Sequence, residues 1–342
     1  MFEKLIVCVD MAGCPNRCRH CWLGHAPNRL MPLEELSRIA GLFRQFADKM
    51  EVEGWYREPD YRDDYKQLWA LEERLSDDKF PHFELMSYWR AARDESYIPW
   101  LKERGVKATQ MTFFGGRALT DKYTQRKGAY DEMVALIPRL MEYGIVPRFQ
   151  AFMNKENIEE MGHVVDLAEK TGLADHPDFR AFVHAGGCDG ANEMLYDIRI
   201  TPEDLDKLPQ RLRDWSLQHL GKTVEEFAGQ TERELYADIS QQEQPFGYCV
   251  PAQPVLYVDH EYNVYPNLTA PQTAWCYGNL LKDGTETILA RVQSGDTPAM
   301  RVMRTVPAAE LVKECGNPES ERLFDRGDYE TYLLNRFART HC

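Results

Sequence analysis

KLIVCVDMAGCPNRCRHCW, residues 4–22, sets a short apolar, β-branched run directly ahead of three cysteines. The run has the look of a buried strand. The cysteines, Cys14, Cys18 and Cys21, follow a C-x3-C-x2-C spacing. Three thiolates from one short loop can take three corners of an iron–sulfur cubane and leave one iron without a protein ligand, and such an iron can bind a small molecule. Zinc would call for a fourth Cys or His at close spacing. His20 and His25 are near, but His20 lies inside the triad, where its backbone must follow the loop.

The surrounding chain sets limits on this reading. Its 342 residues are 43% hydrophobic and 28% charged, with a mean hydropathy of -0.55 and no long apolar segment, so a soluble globular chain is expected rather than a membrane-spanning or disordered one. The opening MFEKLIVCVDM lacks a cationic leader, and a cytoplasmic setting is expected. Nine cysteines is an odd number, and in a reducing compartment clustered cysteines more often bind metal or do redox chemistry than form disulfides. A net charge of -14 argues against a surface that tracks phosphates and weakly favours a cationic substrate.

Downstream, strand and helix alternate. Residues 31–50 place Leu33, Leu36, Ala40, Phe43 and Ala47 on one helical face behind Pro32. Residues 51–104, rich in Trp, Tyr, Arg and Asp, read as a helical insertion, either an extension with a solvated face or a lid over the site. Strands are expected over 108–116, 146–154, 179–187 and 194–200. Helices are expected over 130–145, containing Pro138, over 157–172, and over 201–220 with Thr201 as N-cap. Such alternation implies an α/β fold with a parallel sheet, open or curled into a barrel, whose function gathers at the C-terminal ends of the strands.

At those ends the residues resemble a family. The cysteine loop, with an aromatic residue, His20, before its last cysteine, resembles the cluster loop of the radical S-adenosylmethionine (radical SAM) superfamily. FFGGR at 113–117 matches the family's Gly-Gly-Glu motif, whose backbone carbonyls receive the amino group of S-adenosylmethionine. Here Arg117 replaces the acid. Glycines suit a site where bare backbone must approach a ligand. FMNKENIEE at 152–160 resembles the family's Thr-Asn-Gly strand end, and Arg199 stands where a carboxylate-binding arginine is often found.

The resemblance implies a partial (β/α)6 TIM-like barrel over residues 1–240, with the helical insertion at 51–104, and a [4Fe-4S] cluster on Cys14, Cys18 and Cys21. His20, Gly115, Gly116, Asn154 and Arg199 are then the cofactor-binding residues. Reductive cleavage of S-adenosylmethionine would give methionine and a 5′-deoxyadenosyl radical that removes hydrogen from an unactivated C–H bond, with electrons from an external donor such as flavodoxin or ferredoxin. Residues 248–281 resemble the SPASM and twitch extensions, implying a small β-hairpin and helix domain over 241–342. Asn267 stands in place of the hairpin cysteine, which speaks against a full two-cluster domain. Cys249, Cys276, Cys315 and Cys342 are enough in number for one auxiliary [4Fe-4S] cluster.

In the glycine-rich HAGGCDGAN, Cys188 could return a hydrogen atom to a substrate radical, and His184 and Asp189 could handle a proton. Three function classes follow: an enzyme that epimerises, dehydrogenates or decarboxylates a small polar metabolite, a maturase of a ribosomally made peptide, and an activase of a glycyl-radical partner. The first strand stands at the start of the sequence with no preceding winged-helix-like module, which favours the metabolite class. Neither nucleic acid nor membrane is an expected partner.

Overall fold

The computed structural model describes residues 1–21, 23, 28–54, 58, 60–78, 86–187, 190–266 and 272–342. Its strands are β1 (Phe2–Val9), β2 (Ala47–Glu53), β3 (Ala108–Phe113), β4 (Val146–Phe152), β5 (Arg180–His184), β6 (Gln230–Thr231), β7 (Val255–Val258), β8 (Asn263–Tyr265), β9 (Gly278–Asn279) and β10 (Leu323–Phe324). One sheet runs β2-β1-β7-β8-β9, a second runs β3-β4-β5, and β10 pairs with β6. β1 is parallel to β2 on one side and to β7 on the other, and β3, β4 and β5 are parallel to one another. These six parallel strands and their helices make the expected α/β architecture, with no closed barrel among the described residues.

Several elements depart from the sequence reading, among them the expected helix 157–172, which is a 3-10 turn, Ile158–Glu160, followed by the helix Gly162–Lys170. The first helix covers only Leu33–Arg44, and the expected helical tail 47–50 belongs to β2. Ala47 and Met50 continue the helical face of Leu36, Ile39, Ala40 and Phe43, but paired along β1 they continue equally well into buried Val52 and Glu53. Residues 194–200 are not a strand: Gly190–Ile198 is a 3-10 helix. Leu195 and Ile198, three apart, both turn onto Phe114, Tyr123 and Phe152, a spacing that a three-residue turn places on one face. The sixth parallel strand is β7, from the C-terminal third.

The expected helix 201–220 is two helices, Pro202–Leu205 and Gln210–Leu220, parted at Pro209, which has no N–H to continue the ladder. Thr201 caps the first in a reciprocal box with Asp204. The insertion is part of the core. Its helices Tyr65–Leu75, Tyr88–Ala91 and Tyr97–Glu103 bring Tyr65, Trp69, Tyr97 and Ile98 against Met111, Phe113 and Phe149. Leu68 and Leu71 reach the other sheet beside Leu5, Val7 and Val52. Ile288, Leu289 and Val292 of helix Thr285–Ser294 join that same cluster. The later helices Ala308–Cys315 and Arg326–His341 pack with Leu235, Ile239 and Phe324. Among the described residues no helix is long and apolar enough to cross a membrane.

Candidate functional site

The loop leaving β1 is held at both ends and along its middle. Ala12 bridges to Leu30, and buried Arg62 donates to the carbonyls of Met11 and Met31 at 3.2 and 2.9 Å. The loop's own amides, Arg17 N–H and Arg19 N–H, then donate to the carbonyls of Thr124 and Tyr123. These carbonyls end helix Arg117–Thr124, where helix geometry leaves acceptors without an intrahelical donor. The cysteine loop is therefore docked on the helix that follows Gly115 and Gly116.

Within it, Cys14, Cys18 and Cys21 are half-buried. Asn16 N–H donates to Cys14 Sγ at 3.3 Å, and Cys14 Sγ lies 3.8 Å from Glu58 Oε2. Burial, then the Glu58 charge, pushes the Cys14 thiol up, and burial, then Cys21, does the same to Cys18. Cys18 and Cys21 are among the groups near enough to act on Cys14, and Cys21 on Cys18. Among the described residues no three Cys, His, Asp or Glu side chains converge on a single ion. A cubane asks for something else, one thiolate per iron, and three neighbouring thiols on one backbone-pinned loop fit that demand.

His20 joins the strand ends. Its ring lies 4.5 Å from Phe114 and 4.9 Å from Phe152, and Phe152 stacks on His184 at 5.6 Å. Burial, then the charge of His184, lowers His20 to about 3, so the ring is neutral, and its Nδ1 is sealed without a partner. Gly115 follows Phe114 with φ +110°, a conformation that L side chains rarely adopt, and its carbonyl accepts from Thr120 Oγ1 at 3.3 Å. Asn154, 2% exposed, caps Glu156 N–H through Oδ1, while its Nδ2 is buried and meets no acceptor in hydrogen-bonding geometry. An orphaned amide donor costs about 1–3 kcal/mol, and a ligand's acceptor at this rim would relieve it.

The other expected residues fall as follows. His184 ends β5, and its Nδ1 accepts Gly186 N–H at 2.8 Å, which leaves the ring proton on Nε2. Burial, then the charge of Arg199, lowers it to about 4. Arg199, just past the 3-10 helix rather than on a strand, is buried and donates to the carbonyls of Leu323, Gly186 and Gly187 at 3.0, 3.1 and 3.3 Å, with its guanidinium 4.0 Å from the Phe324 ring centroid. It ties the rim beyond β5 to β10. Cys188 and Asp189, like Asn267, lie outside the described residues.

Cys276 packs beside Cys21, Leu23 and Tyr265 and shares hydrogen bonds with Gly278. Cys315 ends a helix in the separate C-terminal cluster, and Cys249 and Cys342 are exposed. The structure thus places these four in different surroundings.

Two carboxylate features have no counterpart in the sequence reading. At the end of β2, burial raises Glu53 and Glu58 to about 7 and Asp60 to about 6. Asp60 accepts from Trp69 and Tyr97, and Glu58 from Ser87. Glu160, after β4, accepts Gly116 N–H at 3.1 Å. No periodicity marks these acids, because each stands in a stretch that reads as polar surface.

The profile of the radical SAM superfamily matches residues 9–168. No curated protein matches in sequence at a significant level. Among solved structures, native anSMEcpe with bound AdoMet and Kp18Cys peptide is similar with a TM-score of 0.54 at 13% identity, over 98% of this chain and 97% of that one. Native anSMEcpe with bound AdoMet gives 0.54 at 14%, over 98% and 97%. SuiB from Streptococcus suis bound to precursor peptide SuiA gives 0.48 at 14%, over 94% and 75%. At these identities the likeness to the two anSMEcpe structures is one of fold.

Proposed function

We propose that this chain, whose residues 9–168 match the radical SAM superfamily, is an enzyme of that superfamily that modifies a residue within a peptide or protein. The superfamily works with a [4Fe-4S] cluster and S-adenosylmethionine. When bound, the pair supplies a 5′-deoxyadenosyl radical able to take hydrogen from an unactivated C–H bond. Cys14, Cys18 and Cys21 would hold the cluster, and Gly115, Gly116 and Asn154 would hold S-adenosylmethionine. The chain's own part is positioning and exclusion of water. Phe114, Phe152 and neutral His20 form an apolar wall where the strand ends meet. His184, neutral and with Nδ1 accepting Gly186 N–H, keeps its ring proton on Nε2, where it is available as a hydrogen-bond donor.

The observation that carries the peptide reading is the end-to-end likeness to anSMEcpe, a fold seen with both AdoMet and a peptide bound. A second reading, a small cationic metabolite, is supported by Glu58, whose Oε2 lies 3.8 Å from Cys14 Sγ, and by the net charge of -14. An external electron donor, flavodoxin or ferredoxin, belongs to either. The test is anaerobic turnover with S-adenosylmethionine, reductant and peptides encoded beside the gene, read by 5′-deoxyadenosine release and peptide mass. A matching mass change of the peptide is expected. Release stimulated by small amines and by no peptide would overturn the reading in favour of the metabolite one.

A further inference from the structure

The sequence puts an arginine where the family motif carries an acid, and the structure shows where that arginine goes. The Arg117 side chain is 68% exposed and pairs with Asp131 at 2.8 Å, away from the paired glycines. A carboxylate reaches the glycines from another element. Glu160, last residue of the 3-10 turn Ile158–Glu160 after β4, sets Oε2 3.1 Å from Gly116 N. It packs so closely that a Cβ on Gly115 would lie 2.8 Å from Glu160 Cβ and 3.1 Å from Oε2. Its neighbours Glu156 and Glu159 pair with Lys122 and Lys207. Among the described residues no Lys or Arg pairs with Glu160, and its Oε1 has no hydrogen-bond partner. Buried Asn154, with Nδ2 unpartnered, lies six residues back on the same connection.

A half-buried carboxylate fixed on a backbone amide and left without a cation is a receptor for one. We propose that Glu160 binds the ammonium group of S-adenosylmethionine, taking the place of the acid that Arg117 displaced. The proposal rests on the cofactor site of the preceding section. Glu160→Gln removes the charge and retains an oxygen able to accept Gly116 N–H, so it separates a receptor from a mere cap.

The test is calorimetric titration of the anaerobically reconstituted chain with two stable probes, S-adenosylhomocysteine, which carries the ammonium, and 5′-methylthioadenosine, which lacks it. Glu160→Gln should weaken S-adenosylhomocysteine by about tenfold or more and leave methylthioadenosine unchanged. Equal affinity of parent and Glu160→Gln for S-adenosylhomocysteine overturns the proposal, as does an equal weakening of both probes, the mark of a structural role. Failure of the parent to bind either probe overturns the cofactor site itself, and the proposal with it.

Discussion

Gly115 and Gly116 look interchangeable in sequence, and the structure makes them unequal. At Gly115, φ is +110° and an added Cβ would meet Glu160 Cβ at 2.8 Å. The backbone conformation costs an L residue about 1–2 kcal/mol, and forcing a methyl into a packed contact about 1–3 kcal/mol, so Gly115→Ala should lose about 3 kcal/mol. At Gly116, φ is -72° and the nearest atom to an added Cβ is Glu160 Oε2 at 3.4 Å. Gly116→Ala should stay within about 0.5 kcal/mol of the parent. Urea midpoints of the two variants, compared at equal slope, decide the matter. A double variant, Gly115→Ala with Glu160→Gly, removes the steric part and not the backbone part, so about half of the loss should return. Equal midpoints for the single variants, or no recovery in the double, would refute this account of the turn.

Three further outcomes are expected. Burial raises Glu53 to about 7 from an ordinary 4.5, so the stability it contributes is present below 4.5 and lost as pH rises through 7. At ~1.4 kcal/mol per pH unit the loss is about 3 kcal/mol at pH 8, and Glu53→Gln should exceed the parent in thermal stability at pH 8 but not at pH 4. Removing Cys14, Cys18 and Cys21 together should abolish 5′-deoxyadenosine formation. Iron counting on the reconstituted parent should give about four per chain for one cubane and about eight if Cys249, Cys276, Cys315 and Cys342 hold another. Arg199→Met should cost about 2–4 kcal/mol in urea titration, since it leaves the carbonyls of Gly186, Gly187 and Leu323 without their donor.

Much of the frame could be read from the chain. β1, β3, β4 and β5 announce themselves as apolar runs bounded by turns, and the triad, paired glycines and Asn154 fall at their C-terminal ends as expected. β2 escaped because Ala47 and Met50 satisfy a helical face and a strand alike, and only pairing along β1 separates the two. The 3-10 turn Gly190–Ile198 escaped because its short apolar run has a strand's composition. Glu160 could not be foreseen, since its role depends on a fold that carries it 44 residues back to Gly116. The aromatic insertion was visible as a block, but its burial against Phe113 and Phe149 depends on contacts that no local pattern encodes.

The pairing of β7 with β1 bears on how the chain is made. Residues 255–258 supply one of β1's two neighbours, yet the cysteine loop follows β1 immediately. During synthesis at roughly 5–20 residues per second, that edge of β1 waits on the order of tens of seconds for its partner. Contacts so distant in sequence form late, so the frame around the triad closes near the end of folding. Iron delivered before then would meet three thiols on an unfinished sheet, which makes the order of translation, folding and metal loading part of what this architecture requires of the cell.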